Sequence, residues 1–209
     1  MKRASFAKDV EKFSKYKEKN MLVWLMIIAG VIFLDQLTKW LTVINLDLHE
    51  TFALIPDVFH FTYVQNKGAA FSILSDHRWV FMTVSTVAII VLSIYLWHKR
   101  NDSKLLGVAL SFIVGGGIGN MIDRCLLGYV IDMLDFRLIN FAIFNVADSF
   151  VCVGVGLFAL QVILEEIEAN KKEKAQKLAL EQASTDEQEE AEIEQNGSEI
   201  EQDDAKDGN

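Results

Sequence analysis

Seven side chains could do chemistry where their surroundings disfavour charge: Asp35, Lys39, Asp123, Arg124, Asp132, Asp135 and Asp148 lie inside or at the edges of long apolar runs. Ionisable groups in such places are costly and are functional candidates by default. Asp35 and Lys39, four apart, share a helix face and read as a self-neutralising pair. Asp123 and Arg124 are neighbours at a helix end and read as anchors that satisfy loop backbone and each other's field. Asp132 and Asp135 lie in segment 130–136; as a strand it turns them to opposite faces, so that only one points into the protein. Asp148 opens a helix, where the macrodipole favours a carboxylate.

Two facing carboxylates can share a proton, one acting as general base on water and the other as general acid. Such a pair titrates as a unit. It needs no cofactor and no metal, and none is implied: the four histidines never approach metal-ligand spacing, and Cys125 and Cys152 form neither a disulfide framework nor a zinc pattern. No serine- or cysteine-centred constellation competes. Neither the Asp-Thr/Ser-Gly signature of soluble aspartic proteases nor Gly-x-Gly-Asp is present. Residue chemistry alone leaves a two-Asp hydrolase and a small ion- or proton-coupled transporter both open. The transporter needs ionisable groups at mid-depth of the spans, and the second and third apolar runs have none. A non-catalytic membrane scaffold would leave the polar blocks without a use.

The elements that must position these residues are apolar helices. Residues 21–34 are fourteen apolar residues whose pattern continues to about 46, residues 79–97 are nineteen without a charge, and residues 105–122 are eighteen without a charge. Residues 138–164 carry one ionisable group, Asp148. A bilayer core needs roughly 20 mostly apolar residues in helix, so four spans are expected, at about 21–46, 79–97, 105–122 and 146–164. No small-residue cleavage site follows Leu34, so the first span is a retained helix rather than a secretory signal.

Lys and Arg concentrate before the first span, in the 98–104 linker and after the last span, while the connections 47–78 and 123–137 carry only Lys67, Arg78, Arg124 and Arg137. Both termini are therefore expected on the cytoplasmic side, with all five acids in the outer third of the bundle. Residues 165–209 hold 16 acids against 5 lysines, so the chain's formal charge of −9 belongs to a tail. The division expected is a basic arm over 1–20, a membrane domain over 21–165, and an acidic tail over 166–209 that is helical at first and disordered beyond Ala183. Phe6, Val10, Phe13 and Tyr16 sit at helical spacing, consistent with an arm on the membrane surface or a solvated one. In the outer connections, residues 58–64 alternate as a strand and 129–133 can pair with it. The fold expected is membrane all-α, four transmembrane helices with a small extracytoplasmic β-sheet formed by the outer loops. The charge distribution does not suggest nucleic-acid binding.

Five blocks then stand in order: Asp35-Gln36-Leu37-Thr38-Lys39; Asn66-Lys67-Gly68-Ala69-Ala70-Phe71-Ser72; residues 115–124 (Gly-Gly-Gly-Ile-Gly-Asn-Met-Ile-Asp-Arg); residues 130–136 (Val-Ile-Asp-Met-Leu-Asp-Phe); and Phe144-Asn145-Val146-Ala147-Asp148. Over about 21–165 the chain resembles the bacterial lipoprotein signal peptidases, the signal peptidase II family. The resemblance implies a membrane aspartyl endopeptidase acting on diacylglyceryl-modified prolipoproteins, cutting just before the lipidated cysteine. It implies a catalytic dyad of Asp132 and Asp148, with Asp123 and Arg124 supporting integrity. Asn66, Asn120 and Asn145 match polar positions around the substrate, and Asp35 and Lys39 match a further pair. Gly68 would let its loop approach the substrate closely. The protein so described is a monomer in the plasma membrane, in contact with membrane lipids, with its site near the outer face. Gly117 departs from the family's more usual larger small residue, and the basic arm and acidic tail lie outside the pattern.

Overall fold

The computed structural model describes residues 2–68 and 78–204, with side chains for 20–68, 79–80 and 82–178. Ala69 to Ser72 of the second block, and the side chains of Phe6, Val10, Phe13 and Tyr16, lie outside the described residues. The elements in chain order are α1 (Lys2–Asn45), β1 (Thr51–Ile55), β2 (Phe59–Asn66), α2 (Arg78–Lys99), α3 (Lys104–Leu126), β3 (Val130–Asp135), a 3-10 turn at Arg137–Ile139, and α4 (Val146–Asp204). Four segments are long and apolar enough to cross a membrane: Asn20–Asn45, Met82–Lys99, Lys104–Leu126 and Val146–Leu178.

These four are not equivalent. In α3, 56% of the most apolar window is buried, against 17%, 6% and 17% in the other three, which makes α3 the central post. Its glycines explain how. A Cβ on Gly115 would lie 2.9 Å from the Cβ of Val31 in α1, one on Gly116 would lie 2.5 Å from the Ala147 carbonyl oxygen in α4, and one on Gly117 would lie 3.1 Å from Ile89 in α2. Three consecutive residues, each turned about 100° from the last, therefore give each neighbouring helix a point of close approach. The outer helices meanwhile expose large apolar side chains such as Leu25, Phe33, Val84, Ile90 and Ile163, as lipid-facing surfaces do. At the other end of α3, Trp24, Leu96, Leu106 and Leu110 form a buried cluster. Ser103 caps the helix there by accepting from the Leu106 N–H.

The sheet is antiparallel in the order β1-β2-β3. Two features depart from expectation. β1, exposed along its whole length, is an edge strand that the sequence reading did not anticipate. Both Asp132 and Asp135 are buried, on opposite faces of β3, where only one was expected to point inward. The second face is covered too: Asp135 accepts from the Thr62 hydroxyl at 2.7 Å and from Arg137 Nε at 3.1 Å. A register shift between Phe61 and Val64 brings Thr62 into that reach.

α1 runs unbroken from Lys2, so the arm and the first span are one helix. In the tail, α4 is helical through Asp204. Its composition accounts for this, since Glu, Gln, Ala and Lys are strong helix formers, and Glu168–Lys172 and Glu173–Lys177 are i,i+4 pairs at 3.0 and 2.7 Å. The chain divides into two compact units, residues 1–161 and 162–209. Every residue of the candidate site belongs to the first.

Candidate active site

The site lies where the C-terminal ends of α1 and α3 meet the N-terminal end of α4 and the strands β2 and β3. Its base is a buried ion set. Lys39 Nζ lies 2.8 Å from Asp35 Oδ2 and 3.0 Å from Asp123 Oδ2, and donates to Asn120 Oδ1 at 2.9 Å, so all three ammonium protons are used. Asp123 also accepts the Ile131 N–H at 3.1 Å, tying the end of α3 to β3. Gly128, at φ 84°, supplies the left-handed turn between those two elements. Asp123 does not pair with Arg124; its cation is Lys39, and Arg124 reaches, among the described residues, the Asn120 carbonyl alone, at 3.5 Å. Asp35 and Lys39 are likewise not a closed pair, because Asp123 and Asn120 join them.

Asp35 has a second task. Its Oδ1 accepts the Ala147 N–H at 3.0 Å, in the first turn of α4. The first amides of a helix have no partner within it, and a carboxylate there is favoured by the dipole. Gly119 leaves room for this contact, since a Cβ at that position would lie 2.5 Å from Asp35 Oδ2.

Above this base sit the two aspartates of the expected dyad. Asn145 precedes α4, and its Oδ1 accepts the Asp148 N–H at 2.9 Å while Asp148 Oδ2 accepts the Asn145 N–H at 3.2 Å. This is a reciprocal capping box, which fixes the Asp148 carboxylate to the helix start. The Asn145 amide also donates to Asp132 Oδ1 at 2.7 Å and to Asn120 Oδ1 at 2.9 Å. Asn120 in turn donates to Asp148 Oδ1 at 2.7 Å. Lys39 and Asn145 both donate to the Asn120 oxygen, so its amide nitrogen has one way to face, toward Asp148. Asn66 completes the ring by donating to Asp132 Oδ2 at 2.9 Å, and its own oxygen accepts the Gly68 N–H at 3.0 Å.

Asp132 is 2% exposed. Burial pushes its carboxyl up to about 6 from the ordinary 3.8; the amides of Asn66 and Asn145 and the charge of Lys39 pull it down, and the like charge of Asp148 raises it. Asp148 is half-buried, so the pair has one enclosed member and one open member. Two such carboxylates can hold a water between them and pass a proton.

Of the residues singled out in the sequence, Asp35, Lys39, Asn66, Asn120, Asp123, Asp132, Asn145 and Asp148 form one connected network. Gly68 touches it through Asn66, and Arg124 only through a backbone carbonyl. Gln36 was missed: its amide donates to Asp123 Oδ1 at 2.9 Å, to the Gly119 carbonyl at 3.2 Å and to Asp35 Oδ2 at 3.2 Å, clipping α1 to α3. An uncharged polar residue within an apolar run, between Asp35 and Lys39, is the signal for it.

The family model described as signal peptidase (SPase) II matches residues 27–164. A lipoprotein signal peptidase of Brevibacillus brevis is 46% identical over 144 residues, covering 68% of this chain and 97% of that one. One of Bacillus subtilis is 40% identical over 157 residues, 74% of this chain and 100% of that one. A solved bacterial membrane enzyme superimposes with a TM-score of 0.63 at 32% identity, over 69% of this chain and 89% of its own. The chain belongs to the signal peptidase II family.

Proposed function

We propose that this multi-pass membrane protein is an aspartyl endopeptidase that removes signal peptides from diacylglyceryl-modified prolipoproteins, cutting the peptide bond just before the lipidated cysteine. The observation that carries the reading is the double use of Asn145: its amide holds Asp132, and its cap holds Asp148. One residue thus sets the spacing of both carboxylates.

The chemistry follows from two carboxylates sharing one proton. The ionised member takes a proton from the bound water as that water attacks the scissile carbonyl, and the protonated member gives its proton to the carbonyl oxygen. Collapse of the tetrahedral intermediate breaks the C–N bond, with a proton delivered to the departing cysteine nitrogen. Asn66, Asn120 and Asn145 orient the pair without adding charge. Arg124 and Gly68 stand at the margin, in reach of an extended peptide.

The Lys and Arg distribution supports cytoplasmic termini. On that reading the site and sheet, at the ends of α1 and α3 and the start of α4, lie near the outer face, where a substrate anchored by acyl chains arrives laterally. The arm over 1–20 and the acidic tail over 166–209 then lie on the cytoplasmic side, and the protein acts as a monomer. A gel-shift assay on purified protein in detergent tests the function. Cleavage of a diacylglyceryl-modified prolipoprotein, absent for its unlipidated form and for Asp148→Asn, is expected. Equal cleavage by Asp148→Asn would overturn it.

A further inference from the structure

We propose that the groove between the last turns of α1 and the sheet seats one acyl chain of the lipid-modified substrate. This rests on the prolipoprotein reading above and adds to it a binding surface.

The groove encloses about 560 Å³. Its sheet wall is continuous with the face that carries Asp132. Phe52 pairs with Phe61 and Phe61 with Leu134, and Leu134 stands two residues from Asp132 on the same side of β3. Met133 and Val146, also in the lining, are the chain neighbours of Asp132 and Asn145. A cysteine bound with its preceding peptide bond at the dyad therefore has the mouth of this groove beside its side chain.

The walls select hydrocarbon over peptide. α1 contributes Leu41 and Leu46, and its three polar lining residues turn their donors back into their own helix: Thr38 Oγ1 to the Asp35 carbonyl at 2.8 Å, Thr42 Oγ1 to the Thr38 carbonyl at 2.9 Å, and Asn45 Nδ2 to the Leu41 carbonyl at 2.7 Å. Among the described residues, no charged side chain lines the groove. A peptide laid there would leave its carbonyls unpaired, which is costly away from water. An acyl chain makes no such demand. A second groove of about 350 Å³, lined by α2 and α3 residues including Ile89, Ile118 and Met121, is also apolar, but none of its lining residues bonds to the dyad network.

A chain moving from the bilayer into an apolar groove gains little transfer energy, because lipid tails are as apolar as leucine. The groove therefore acts by orientation, fixing the glyceryl thioether so that the preceding peptide bond lies at the dyad. Contact is the property to test. A prolipoprotein whose acyl chain ends in a diazirine would be bound to Asp148→Asn, irradiated, and the adducts mapped by mass spectrometry. Labelling should concentrate on Leu41, Leu46, Phe52 and Phe61, and Asn45→Trp, which fills the groove from its exposed end, should remove most of it. Adducts at Ile89, Ile118 and Met121, an even spread over lipid-facing positions such as Val84 and Ile163, or no adduct at all would overturn the inference. Wild-type cleavage of the same probe separates the two claims. Cleavage without groove labelling defeats the groove alone, and failure to cleave defeats the substrate reading and the groove with it.

Discussion

The site holds two pairs of carboxylates, and they are held in different ways. Asp35 and Asp123 share the ammonium of Lys39 and accept backbone N–H groups from Ala147 and Ile131. Among the described residues, Asp132 and Asp148 accept side-chain bonds from the neutral amides of Asn66, Asn120 and Asn145 alone. The first set is locked in charge, because a buried ion set that loses a member leaves an uncompensated charge behind. The second is locked in position but not in charge, since an amide donor holds a carboxylate without supplying a compensating cation. A carboxylate that must take up and release a proton belongs in the second kind of environment, and one that must hold helices together belongs in the first.

The strongest way to break this contrast is to remove the proton chemistry alone. Asp132→Asn and Asp148→Asn should each lower cleavage by about 10⁴-fold, as loss of a group that takes part in bond-making does, while the purified variants keep the wild-type elution profile. The converse is Lys39→Met, which strips the cation from two buried carboxylates. It should destabilise the protein by about 3–5 kcal/mol, read by thermal unfolding in detergent, and a variant as stable as wild type would refute the division. Asn120→Ala lies between the sets. It should reduce kcat about 10- to 100-fold, the usual scale for a group that orients others, with KM for the lipidated substrate little changed.

The smallest expected effect sharpens the comparison through pH. Asp132 binds its proton more tightly in the folded protein, about 6 against 3.8. Its contribution to stability is therefore fully present below about pH 4 and is lost as pH rises through 6. Asp132→Asn should then unfold at a higher temperature than wild type above pH 6, with the gain vanishing below pH 4. A gain independent of pH would place the effect in packing rather than charge.

Much of this was legible in the sequence for identifiable reasons. The four apolar runs announce the spans, and Asp35, Lys39, Asp132 and Asp148 stand out because charge is rare in such runs. β2 is visible from its alternation, and β3 from its pairing potential. β1 carries no alternation that its fully exposed pattern could have imposed, and it is a strand only because β2 offers it an edge. The partner of Asp123 was misjudged because sequence adjacency favours Arg124, whereas the folded neighbour Lys39 is 84 residues away. The burial of Asp135 depends on Thr62 and Arg137 closing the far side of the sheet, a tertiary event that a single strand's period cannot announce.

The opening turn of α4 carries a consequence for dynamics. Its free amides are claimed by Asp35 and Asn145, and Asp148 is both the third residue of that turn and half of the proposed dyad. Helix starts ordinarily fray, and their amides exchange with solvent sooner than those of the interior. Here fraying would dissolve the site, so the fraction of molecules able to act at any instant equals the fraction in which one helical turn is closed. The amides of Ala147 and Asp148 should therefore exchange as slowly as those of a helix core, and their exchange rate becomes a meter of the competent population that needs no substrate.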